Sequence, residues 1–442
     1  MAAVDADLLA DFKGRPTKTI VLAELDLPTT RGYSEAWAAA SARLYEGLLV
    51  RGGQITRSVS DSSYNLPRDT ARVQIWDKDR DLEKVFLGSE VGAVSGSAAR
   101  IKIASRTQAE SKWFTVFAGV IESFNMPRAR LWDITLKRDD KALQGLVNID
   151  YFQRYDWLNL PTASIGLPSQ AVYGRHNSGA TSVSGMVAAT YVDDVNFRYA
   201  ASMGPLTSIP NVYSGGTLKT VTTDYTINTA YFNRGKWWTI ITFVADQGTN
   251  DVTFDCEGLS SGGLIQNQAT QLEHFLTNFV FGDWRNSTTQ ASSAWLSASD
   301  YNIDETFFAE TETFFSNKQI AKGSRVITAG TRGIDVLNEW TKQFQVPSFW
   351  TYDGKIAVRP DDHCLTDTYI DAPHLRQEIS PAPSVIQVSY DASRLVDEVS
   401  ADFLYAEADG AFQDHLTVKD SSKGYGSAVA LPLHWRESQY VE

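Results

Sequence analysis

Three pairs of adjacent aspartates, Asp139–Asp140, Asp193–Asp194 and Asp361–Asp362, are the densest acidic chemistry in this chain. Two carboxylates across a cleft, roughly 5 to 9.5 Å apart, would hydrolyse a glycosidic bond. Adjacent residues on a strand or turn point apart, so these pairs read as solvated turns and helix starts. The six histidines, His176, His274, His363, His374, His415 and His434, are scattered. His363 stands beside Cys364 and behind Asp361–Asp362, but zinc ligands come at helical or knuckle spacing, and this run reads as a polar loop. His274, between Glu273 and Phe275, reads as a histidine on a helix surface or partly buried. Cys256 and Cys364 make no disulfide framework and read as buried thiols. The chain has no phosphate-cradling loop, dinucleotide fingerprint or His-Glu-x-x-His. Its serine-rich runs at 57–63 and 286–299 lack a nucleophile-elbow context. The expectation is a protein that is not an enzyme, with no catalytic residues, cofactor or metal.

Composition narrows the class further. A length of 442 residues implies two to four domains. A net charge of −13 disfavours a general nucleic-acid surface, which needs a basic face, although a local basic patch can survive on an acidic protein. Twelve tryptophans are many for this length, and such rings fill cores or anchor interfaces. Trp237–Trp238 could line a sugar groove, but within a strand one of two neighbours must point inward, and core or interface is the stronger reading. The start, Met1 to Asp7, has neither a basic nor an apolar segment, and no apolar run approaches the ~20 residues of a membrane span. Synthesis and folding in a cytoplasm, with no membrane span, are expected.

The elements that would position these residues are mostly strands. Alternation predicts strands at 19–26, 70–76, 99–103, 112–121 and 131–137, with an acidic turn after the second and after the last. Gly119 inside the fourth marks a bulge or a close backbone approach. A helix is expected at 6–12 and a short one at 141–146, the latter led by Asp139–Asp140. Shorter strands follow at 195–201 and 219–226, then 237–243, an apolar run that reads as buried on both faces, and 251–255. Asn267 caps a predicted helix carrying Leu272, Phe275, Leu276 and Phe279, and a second helix lies within 303–315. Ile334, Leu337, Trp340 and Phe344 mark a third. Asp353–Gly354, between Phe349–Thr351 and Ile356–Val358, predicts a hairpin with both residues central in a type I′ turn. Strands are expected last at 385–390 and 399–405. The fold class is mainly β with an α+β insertion. The boundaries are 1–150 for a first barrel-like domain, 151–331 for a mixed middle region and 332–442 for a second β-domain.

The order of three stretches resembles the tail hub, baseplate hub and tail-tip proteins of tailed bacteriophages. The first runs through Val73–Arg80, Lys112–Ile121 with its Gly119-Val120-Ile121 end, and Trp132–Asp140. The second is Val252–Leu259, then Leu264–Asn267 and the helix Leu272–Phe279. The third is Trp350–Val358 followed by Asp420–Gly426. The resemblance implies two hub β-barrels per chain and a homotrimer whose six barrels match a hexameric tail tube. It implies a structural adaptor in a virion tail, assembled in the host bacterial cytoplasm. Its partners would be tail-tube proteins and distal tip or fibre proteins, and during ejection genomic DNA would pass through the lumen without specific binding. The alternative is a carbohydrate- or receptor-binding tail protein, and a glycan-degrading tail component is third. In the family more chain usually follows the Asp420–Gly426 stretch, so the closing strands of the second barrel are expected either to be missing or to come from another chain, and the tail 427–442 to dock on a neighbouring subunit or a separate tail protein. Leu431, Leu433, Trp435 and Tyr440 are the expected interface residues.

Overall fold

The computed structural model describes residues 19–27, 31–34, 45–46, 48–56, 66–87, 94–105, 109–177, 185–282, 296, 301–317, 323–344 and 346–360, and the strand backbones of 398–406, 411–419 and 433–434. The predicted segments 6–12 and 385–390 lie outside them. Two compact units emerge: Met1–Gly145 with Ser299–Glu305 and Ser348–Val358, and Leu146–Ala298 with Thr306–Pro347 and Arg359–Glu442.

Eight strands form the sheet of the first unit: β1 (Thr19–Leu25), β2 (Arg31–Ser34), β3 (Tyr45–Glu46), β4 (Leu49–Thr56), β5 (Thr70–Trp76), β6 (Ala98–Ser105), β7 (Phe114–Arg128) and β8 (Leu131–Lys137). Their order is β3-β2-β1-β6-β7-β8-β5-β4, and six of them curl into a near-closed antiparallel barrel. Alternation sets the inward face: Ala71, Val73 and Ile75 of β5 are buried and lie opposite Leu136, Ile134 and Trp132 of β8. Gly119 occupies a close approach, since a Cβ there would sit 2.0 Å from the Lys137 carbonyl oxygen.

Helix α1 (Asp81–Phe86) closes one end of the barrel, with Leu82 and Phe86 buried. Phe86 stacks on Phe124 at 4.5 Å and meets Trp132 edge-on at 4.8 Å. The acidic turn after β5 is the device that seats this helix. Buried Asp77 accepts hydrogen bonds from the Leu82 amide at 3.2 Å, the Glu83 amide at 2.9 Å and the Trp132 indole Nε1 at 3.2 Å. One carboxylate thereby satisfies two orphan donors of a helix start and a buried ring N–H.

The acidic turn after β8 works differently. The Asp139 carboxylate accepts the Lys141 amide at 3.3 Å and Asp140 pairs with Lys137 at 3.2 Å, starting the short helix α2 (Lys141–Gln144). Arg138 turns inward instead. It pairs with buried Asp69 at 3.4 Å, lies 4.4 Å from the centroid of Phe117, and donates to the Ala118 carbonyl at 2.7 Å and the Tyr352 carbonyl at 3.4 Å.

In the second unit the strands are, in chain order, β9 (Gln170–Tyr173), β10 (Arg175–His176), β11 (Val187–Ala188), β12 (Thr190–Asp193), β13 (Arg198–Met203), β14 (Leu206–Ser214), β15 (Thr217–Lys219), β16 (Tyr225–Asn233), β17 (Lys236–Phe243), β18 (Val252–Leu259) and β19 (Arg325–Thr328), which pairs with β9. One sheet runs β10-β18-β14-β15, with β11 also on β18, and another runs β12-β13-β17-β16. Two strands start later than the sequence suggested. Asp193 Oδ1 takes the amides of Val195 and Asn196 at 3.1 and 3.0 Å, forming a turn that delays β13. Thr222 has φ +69°, and β16 begins only at Tyr225.

Asn267 caps α3 (Gln268–Phe275) as expected, accepting the Ala269 amide at 3.0 Å, but Leu276–Phe281 widens into a π-turn. Helices α4 (Glu305–Asn317) and α5 (Gly333–Phe344) follow. Trp340 of α5 is fully enclosed, donating to Gln268 Oε1 at 2.7 Å under the guanidinium of Arg325.

The hairpin β20 (Ser348–Trp350) to β21 (Ile356–Val358) belongs to the first unit, and its turn differs from the expected type I′. The Gly354 amide donates to the Thr351 carbonyl at 3.1 Å, so Tyr352 and Asp353 are the central pair. Gly354 alone takes a positive φ, +88°, and the Thr351 amide donates to the Lys355 carbonyl at 2.8 Å. A loop one residue longer than two fits a turn followed by a left-handed glycine, and it removes the need for positive φ at Asp353. Strands β22 (Glu398–Ala406), β23 (Ala411–Lys419) and β24 (Leu433–His434) make a sheet ordered β23-β22-β24.

Two substitutions test this architecture by urea unfolding. Asp77→Ala strands the two helix amides and the indole N–H and is expected to destabilise the first unit by on the order of 2–3 kcal/mol. Gly354→Val forces a β-branched residue into a left-handed position and is expected to cost on the order of 1 kcal/mol or more. Wild-type unfolding midpoints would contradict both assignments.

Candidate functional site

Arg175, His176, Asn177, Ser208, Pro210, Cys256 and Glu257 line a recess of about 240 Å³ in the second unit. Strand pairing builds it: β10 runs antiparallel to β18 with Arg175 opposite Glu257 and His176 opposite Cys256. Arg175 binds Glu257 at 2.9 Å, and Ser208 donates to the other carboxylate oxygen at 3.1 Å, so the polar wall is internally satisfied. His176 is buried and donates from Nε2 to the Tyr173 carbonyl at 3.0 Å, which puts its lone pair on Nδ1. Burial lowers its pKa to about 4, partly opposed by that hydrogen bond.

A neutral imidazole beside a thiol is a base beside a weak nucleophile. Here the thiol is only 2% exposed, which denies it to a substrate. Among the described residues no group of three His, Cys, Asp or Glu could hold a metal ion. The recess therefore reads as a packed strand junction. Sequence reasoning missed the His176–Cys256 pairing, because nothing local links two residues that only the β10–β18 register brings together.

The remaining sequence candidates separate in space. His274 is buried, shares a hydrogen bond between its Nδ1 and the Tyr173 hydroxyl at 2.8 Å, and has its pKa lowered by burial to about 3. Burial raises Tyr173 well above the ordinary tyrosine value. Asp193 is buried beside exposed Asp194. Burial pushes the Asp193 carboxyl up, but hydrogen bonds from Asn196, Asn159 and the Val195 amide outweigh it and hold the group below the usual range. Asp139 and Asp140 serve α2 and Lys137, as described above. Trp238 is core, 5.6 Å from both Phe152 and Trp157, while half-buried Trp237 packs on Phe232 at 4.7 Å.

Asp361, Asp362, His363 and Cys364 lie outside the described residues, as do Leu431, Trp435 and Tyr440. Of the expected interface, the backbone of Leu433 is placed. With His434 it pairs in parallel with Ala401 and Asp402 of β22 in the same chain.

No family model matches the chain, and no curated protein matches it. Among solved structures, a chain of "Virion of native gene transfer agent (GTA) particle" is similar at 11% identity, over 57% of this chain and 85% of that one. The TM-score is 0.26, too low for the likeness to carry an argument about this chain.

The two buried histidines give a pH test. Both folded pKa values lie below the ordinary 6.5, so the unfolded chain takes up protons first as pH falls. Their contribution is complete above about pH 6.5 and is lost toward about pH 4 for His176 and about pH 3 for His274, each adding a slope of up to about 1.4 kcal/mol per pH unit. Urea unfolding of the second unit between neutral and mildly acidic pH should show this fall, and His176→Gln should reduce the slope. A flat profile would contradict the burial.

Proposed function

We propose that this chain is a structural component of a phage-tail-type virion, a hub adaptor at the baseplate or tail tip. It joins the tail tube to distal tip or fibre proteins and lines a channel through which DNA passes without specific binding. The observation that carries the reading is the near-closed barrel of the first unit. Its β5, β7 and β8, with acidic turns at Asp77 and Asp139–Asp140 and the tight approach at Gly119, coincide with the first stretch resembling the hub family.

The working state is a homotrimer with two barrels per chain. The second barrel includes β22–β24, and Leu431, Leu433, Trp435 and Tyr440 supply contact to a neighbouring chain. The role is not catalytic, and no cofactor takes part. An acidic chain suits a channel wall that must not hold DNA.

Labelling purified tailed particles with an antibody to this chain should mark the distal end of the tube. Deleting 427–442 should leave the first unit folded and stop tip assembly. Particles lacking the chain, or complete tails from the deleted form, would contradict the proposal. So would release of fragments from peptidoglycan or host polysaccharide that a single carboxylate substitution abolishes.

A further inference from the structure

Beside α1, the β7–β8 tip of the barrel sets two arginines and exposed apolar surface on a chain of net charge −13. Strand β5 ends on Trp76, which is 42% exposed, and the β7–β8 tip carries Met126, also 42% exposed, with Arg128 and Arg130. Backbone bonds make these one surface. Trp76 pairs with Leu131, the Asp77 amide donates to the Arg130 carbonyl at 2.7 Å, and Arg130 Nη1 donates to the Lys78 carbonyl at 3.4 Å.

Two further features mark the corner. Arg80 has φ +59° and Arg130 φ +61°, left-handed positions that glycine would fill without strain. Among the described residues no carboxylate lies within ion-pair distance of Lys78, Arg128 or Arg130, whereas Arg80 has Glu83 at 3.7 Å. Tryptophan, methionine and arginine are the types that protein interfaces enrich, and surplus cations call for an acidic partner.

We propose that this corner docks on an acidic surface of a second copy of the same chain. Charge complementarity selects the occupant, because the chain supplies a fitting surface itself. Helix α4 carries Glu305, Glu310 and Glu312, all exposed, and no basic residue. A contact between two different surfaces of one chain is head-to-tail and closes into a ring when its rotation allows. Nucleic acid is disfavoured by the net charge of the chain.

The proposal rests on the reading of the chain as self-assembling, and its test uses the purified full chain. In sedimentation velocity the wild type should associate with rising concentration, less so at high salt. Arg128→Glu with Arg130→Glu should weaken association about tenfold or more. Mixing that variant with a Glu310→Arg, Glu312→Arg chain should restore a complex. Arg80→Gly with Arg130→Gly should weaken association while leaving Tm equal or higher, which separates docking from folding.

A monomeric wild type, a charge-reversed variant that associates normally, or charge reversal that abolishes only binding to duplex DNA would each overturn the proposal. A monomeric chain still found in tail tips would sink the corner and leave the virion reading standing. Corner-dependent association in a chain absent from particles would do the reverse.

Discussion

The first unit depends on one buried carboxylate. Asp77 ends β5, caps α1 from outside the helix and holds the Trp132 indole of β8. It thereby joins two strands and the helix that closes the barrel end. A carboxylate in such a place is tolerable because its oxygens accept three donors that would otherwise be buried without partners. Phe86, Phe124 and Trp132 pack together where this helix meets the strands. The same turn sets the backbone path that presents Lys78 and Arg80 to solvent.

The second unit is organised by enclosed polar groups of another kind. Tyr173 touches both buried histidines, through its carbonyl to His176 and its hydroxyl to His274, and its ring lies edge-on to Trp340 at 6.3 Å. Such groups stabilise only when matched, so they fix which strands and helices meet. They are positioned for packing. In the recess at His176 and Cys256 the charged wall is consumed by the Arg175–Glu257 pair.

Much of the fold could be read from local pattern. The alternation of Val73 with Ile75 and of Trp132 with Ile134 gave β5 and β8, and the Asn267 cap and the Ile334–Phe344 spacing gave α3 and α5. What failed depended on single side chains or on distant contacts. The Asp193 side chain diverted the backbone before β13, and a left-handed Gly354 moved the turn centre to Tyr352–Asp353. Assignment of the β20–β21 hairpin to the first unit rests on Arg138, Ala118 and Phe114, more than 200 residues earlier. Neither the His176–Cys256 junction nor the basic corner leaves a local signal, since both arise from strand register.

The central claim is that this chain forms the hub of a tail. Electron cryo-microscopy of intact particles, with the distal end of the tube reconstructed without imposed symmetry, tests it most directly. The account predicts three copies around the axis, each contributing the β1–β8 barrel and a second barrel to a six-barrel ring that faces the tube. Density placing the chain off the axis, or at a symmetry other than three, would contradict it.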